Sequence, residues 1–158
     1  MITITLTVSK ARVYNEVAKT TSYTGSKMTG DEGAYSRIFT TDDDRLMLER
    51  FWVESCNAVT QNLKPFVTSV SSHPVGDSVD LARNYTVSMS LPSTFDANLV
   101  DSIESSLFSF FVSLIVSKWF KFTNKEESES YALESAGLME DVLRKVYHRK
   151  SPIREVPN

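Results

Sequence analysis

Reactive side chains are scarce in this chain. It carries one cysteine, Cys56, and two histidines, His73 and His148. A lone cysteine excludes an internal disulfide and an all-cysteine metal site, and it fits a reducing compartment. Cys56 falls on the apolar stripe of a helix and no partner base can be named for it, so it reads as a small core residue and not as a nucleophile. Neither histidine has a companion at metal-ligand spacing, and each reads as a surface or capping residue. Glycine and proline number five each, against 41% apolar and 23% charged residues, which excludes low complexity and wholesale disorder. Lys and Arg total 17 against 20 Asp and Glu, for a net charge of -3, so a general footprint for nucleic acid is missing. The start MITITLTVSKAR has no basic region followed by an apolar core, and no secretion signal is expected. YTGSKM lacks the earlier glycine of a phosphate loop. Asp101 and Glu104 share a helical face where the helix dipole favours acids, which does not amount to a catalytic pair. No catalytic residue, cofactor site or metal site is expected, and the chain reads as no enzyme.

What is present is a set of well-signalled elements. Ile2, Ile4, Leu6 and Val8 alternate with threonines as a half-buried strand. Ser9 is placed to cap a helix through Val13, Tyr14, Val17 and Ala18, ending near Thr20. TSYTGSKMTGDEG, residues 21–33, has no apolar period and reads as the longest loop, a place for contacts. Thr41 and Asp44 have capping-box spacing, and Asp42, Asp43 and Asp44 are explained by a helix dipole better than by a cation. The helix that follows carries Leu48, Phe51, Trp52, Cys56, Val59 and Leu63 on one stripe and stops before Pro65. FVTSVSS and the alternating run from Val79 to Leu91 form a hairpin around HPVGD. Ser93 or Thr94 opens the next helix, and Asn124 with Glu127 signals the last one, acidic at its start and basic at its end. Strands cluster and helices cluster. The expectation is one α+β domain over residues 1–150, a small mainly antiparallel sheet of an N-terminal strand plus a hairpin packed against about four helices, with residues 151–158 as an extended tail.

SSLFSFFVSLIVSKWFKF, residues 105–122, is the most apolar stretch. Its uncharged run, Ser105 to Ser117, lies between Glu104 and Lys118 and reads as too short and too serine-rich for a membrane span. Ser105, Ser109, Ser113 and Ser117 recur every fourth residue, an edge of small side chains against which another backbone fits closely. Two readings stand: a central core helix, or a subunit seam made by these serines with Phe108 and Trp119. The basic run RKVYHRKSPIR reads as a solvated helix end, with phosphate tracking as the alternative.

ARVYNEVAKTTSYTGSKM, GAYSRIFTTDDDRLMLERFW and VLRKVYHRK together resemble small uncharacterised virion structural proteins, of neck or tail connector type, from tailed phages and prophages of gut Bacteroides-type bacteria. The resemblance implies a ring-forming head-tail connector, adaptor or tail-completion protein, assembled in the host cytoplasm and located in the virion. Its partners would be further copies of itself and neighbouring portal or tail proteins, with DNA only as passing cargo and no membrane. Tyr23, Lys27 and Met28 of the presumed loop and Arg149, Lys150, Ile153 and Arg154 near the tail are the contact candidates. The alternative is a soluble interaction or inhibitor protein with one host or phage partner.

Overall fold

The computed structural model describes the 158-residue chain except for residues 29, 31, 32, 72–80, 155, 157 and 158. The order is β1 (Ile2–Val8), α1 (Lys10–Lys27), α2 (Ala34–Ile38), α3 (Arg45–Leu63), β2 (Val67–Ser71), β3 (Tyr85–Leu91), α4 (Val100–Thr123) and α5 (Lys125–Tyr147), with one-turn 3-10 helices at Asp42–Asp44 and Ala97–Leu99. This is an α+β fold: a three-stranded antiparallel sheet, ordered β1-β3-β2, and four long helices with one short one. The register follows from the alternation. Ile4 opposes Met89, Leu6 opposes Val87 and Val8 opposes Tyr85, all buried under the helices, while Thr5 and Thr7 meet Ser88 and Thr86 through their hydroxyls on the open face.

α4 lies in the middle. It packs on β1, α1, α3 and α5, and the Phe111 ring lies 4.7 Å from that of Trp52 and 5.6 Å from that of Tyr85, joining α3, α4 and the sheet. Burial of such large rings carries much of the fold, at roughly 25 cal/mol per Å² removed from water. Contrary to the length argument made from the uncharged run, Ala97–Thr123 is long and apolar enough to cross a membrane by length and composition, with a mean hydropathy of 1.7 over its window. Ile103, Leu107, Phe110, Phe111, Ile115, Val116, Trp119 and Phe120 of it are buried against this chain's own sheet and helices, while Phe108 and Leu114 are half-buried.

Four local expectations are corrected. α1 runs to Lys27 and does not end near Thr20, so most of the supposed loop is helix. Its hydroxyls bond within the helix, Thr21 to the Val17 carbonyl and Thr24 to that of Thr20, both at 2.9 Å, which removes the cost of continuing it. Gly25 sits in the helix because α2 crosses there: a Cβ would stand 2.9 Å from the Tyr35 Cα. Sequence alone did not signal α2, whose buried Ala34 and Ile38 fill the gap beside that crossing. β3 begins at Tyr85; Leu81–Asn84 turn, because the Asn84 side chain accepts from the Lys10 N–H at 3.1 Å, and Val79 lies outside the described residues with the HPVGD turn. The 3-10 turn that leads into α4 is opened by Asp96, whose carboxylate accepts from the Asn98 N–H at 3.1 Å, and not by Ser93 or Thr94, since Phe95 is buried before it.

The Thr41–Asp44 cap is present: the Asp44 carboxylate accepts from the Thr41 N–H at 2.8 Å, and Asp42 pairs with Arg45 at 2.9 Å. Asn124 does precede α5, but its amide donates to the Met28 sulfur at 3.8 Å and the helix start is held by its main-chain carbonyl instead.

Candidate interaction surface

The serine edge of α4 divides in two. Ser113 and Ser117 are 4% and 2% exposed, and the Ser128 hydroxyl of α5 donates to the Ser117 carbonyl at 2.9 Å. That half is core of this chain, where small side chains let α5 approach. Ser105 is exposed and Ser109 half-buried, and both line open clefts. Trp119 is likewise inside the chain, its indole N–H donating to the Ile38 carbonyl at 2.6 Å, so it is no surface anchor.

Three clefts, of about 250, 320 and 260 Å³, follow one another along α1. The first lies between Val8, Arg12, Ser105 and Phe108; the second between Glu16, Phe108, Ser109, Val112, Tyr131 and Glu134; the third between Glu16, Lys19, Tyr23 and Tyr131. Shared Phe108, Glu16 and Tyr131 make them one furrow along α1, set against α4 at its first cleft, between α1 and α5 over α4 at its second, and against Tyr131 of α5 at its third. Serine at 109 keeps it open, since a larger side chain there would fill the floor. The Arg12 guanidinium lies 5.2 Å over the Phe108 ring, fixing that ring at the junction.

Of the contact candidates, Tyr23 is 66% exposed at the far end of the furrow, with the Lys27 ammonium 5.4 Å over its ring. Both lie on α1 and not in a loop. Met28 is turned inward, partly buried against the core. Arg149 closes α5, donating to the Val146 and His148 carbonyls at 2.7 and 2.9 Å. The Lys150 N–H donates to the Thr94 carbonyl at 2.8 Å and its ammonium lies 3.7 Å from Asp96. These two cations tie the chain end to the turn before α4. Beyond them Ile153 is 93% exposed and Val156 87%, with Arg154 exposed between.

One cluster was missed from sequence. The Lys10 side chain is 0% exposed and pairs with Glu49, whose carboxylate also accepts from the Tyr14 hydroxyl at 2.7 Å; the Tyr14 and Trp52 rings flank the ammonium at 5.7 and 6.0 Å. Its only signal was Glu49 at helical spacing from Trp52 and Cys56 on an otherwise apolar stripe. Burial first, then the Glu49 hydrogen bond, raises the Tyr14 phenol well above its usual range, and burial pushes the Cys56 thiol up to about 12. Both stay protonated, in a cluster that lines none of the clefts described. It locks α1 to α3. Among the described residues no three His, Cys, Asp or Glu side chains stand where they could hold a metal ion.

No family model, curated protein or solved structure matches this chain.

The surface therefore speaks through its geometry. Two carboxylates outside the furrow are held by lysines. The Lys145 ammonium lies 2.5 Å from Asp141 and 3.0 Å from the Ser106 hydroxyl, and Lys145 first, then Ser106, holds the Asp141 carboxyl below its usual range. Lys118 does the same for Glu54 across α3 and α4.

Proposed function

We propose that this protein is a non-enzymatic structural component of a tailed-phage virion, a ring-forming connector, adaptor or tail-completion protein of the neck. The observation that carries the reading is the pairing, on one small domain, of an open furrow with a projecting segment whose apolar side chains stand in water. A receptor surface and an arm are what a protein needs to join copies of itself and to reach a neighbouring ring. Support comes also from the buried Lys10–Glu49–Tyr14 cluster, closed off and used to brace two helices, and from basic residues near the chain end that bond to their own fold instead of presenting a phosphate track. The acidic balance suits a surface that DNA slides past. The resemblance of the first two helical stretches and of VLRKVYHRK to phage neck and tail proteins points the same way.

Mass spectrometry of purified particles from the bacterium that encodes it tests the reading. Several copies per particle support it. Absence from particles, together with a one-to-one complex recovered from the cytoplasm, would instead identify a soluble interaction or inhibitor protein.

A further inference from the structure

The segment beyond Lys150 reads Ser-Pro-Ile-Arg-Glu-Val-Pro, and its prolines restrict both themselves and the residues before them to extended, polyproline-type backbone. A polyproline turn takes three residues and about 9 Å, so a segment bound in that form would put Ile153 and Val156 on one side and Arg154 on another. Polyproline segments are bound in grooves lined by aromatic rings, since little entropy is lost in docking a pre-shaped chain.

The furrow matches this segment in length, lining and charge. From Arg12 to Tyr23 it follows eleven residues of α1, about 17 Å, a length that six residues of extended chain can span. Phe108, Tyr131 and Tyr23 stand along it. Its midsection carries the carboxylates of Glu16 and Glu134, opposite in sign to Arg154; the pair that Glu16 makes with Lys19 is 3.7 Å long and exposed, and so weak.

The segment does not occupy its own furrow. Lys150 is held beside Thr94 and Asp96, ahead of α4. Residues 151–154 and 156 are exposed and line none of the three clefts, so the furrow is open to a second copy. We infer that the 151–156 segment of one copy docks in the furrow along α1 of a second copy, with Ile153 and Val156 against the Phe108 and Tyr131 rings and Arg154 between Glu16 and Glu134. The contact is head-to-tail, the type that generates a ring when its rotation closes. It rests on the self-assembling reading above and names the surfaces that reading requires.

The test uses the full chain with Ile153→Cys and Ser109→Cys. Native Cys56 stays, buried and with its thiol pushed up to about 12. Mild oxidation should give a ladder of covalent oligomers, and mixing a tagged Ile153→Cys chain with an untagged Ser109→Cys chain should give a mixed dimer. Arg154→Glu should raise the concentration needed for assembly about tenfold, and combining it with Glu134→Arg should restore it. A cross-link confined to single chains overturns the inference, as does a monomeric full-length protein. An unchanged oligomer from a chain ending at Lys150 overturns it too, yet leaves the ring-forming reading standing.

Discussion

Replacing Glu49 by glutamine tests how the buried ion pair acts. The change keeps size and shape, and the amide still accepts from Tyr14, but the Lys10 ammonium loses the Glu49 charge at a site where its side chain is 0% and that of Glu49 9% exposed. Breaking a buried pair by removing one partner costs about 3–5 kcal/mol, because the remaining charge stays out of water. Against a total stability of about 5–15 kcal/mol, that is a large fraction. With a urea m value of about 2 kcal/mol/M, the unfolding midpoint should fall by about 1.5–2.5 M. Tryptophan fluorescence reports it, since the Trp52 ring lies 6.0 Å from the Lys10 ammonium. The double variant Lys10→Met, Glu49→Leu should recover most of the loss, as apolar replacements of buried pairs do. A loss under about 1 kcal/mol for Glu49→Gln would refute the reasoning by showing that water reaches the pair. A double variant as weak as the single one would assign the effect to packing and not to charge.

Ser113→Leu should overpack the core beside α5 and cost about 1–3 kcal/mol in thermal or urea unfolding, whereas Ser109→Leu should leave folding within about 0.5 kcal/mol and block assembly by filling the furrow. Gly25→Val should destabilise by more than about 1 kcal/mol, since even its Cβ would meet the Tyr35 Cα at 2.9 Å and α2 would have to move; a neutral result in calorimetry would contradict the crossing. Asp141 and Glu54 have carboxyls held below their usual range, so their contribution is present above the unfolded value of about 4 and is lost as pH falls through the lower folded values. The melting temperature should therefore drop on acidification below about pH 4, less steeply in Asp141→Asn; equal slopes would count against the Lys145–Asp141–Ser106 link.

The fold class, the α3 stripe and the β1 alternation were legible because apolar periodicity reports burial directly. Residues 21–27 were not, because Thr, Ser and Gly have weak helix propensity and are kept helical by hydroxyls bonding to the preceding turn and by α2 crossing at Gly25, a tertiary cause invisible along the chain. Phe95 hid the true start of the α4 segment for the same kind of reason: its burial, and the pairing of its backbone with Arg149, depend on a residue over fifty positions away. The serine period was readable, but its division into a core half at Ser113 and Ser117 and an open half at Ser105 and Ser109 depends on how β1, α1 and α5 are arranged around α4. The furrow needed three helices to be placed before it existed.

The most direct measurement of the ring-forming account is an electron-microscope image of the purified full-length protein, paired with its mass in solution at the same concentration. The account predicts closed rings of one subunit number. A single-chain mass at every concentration reached, with no rings on the grid, would contradict it.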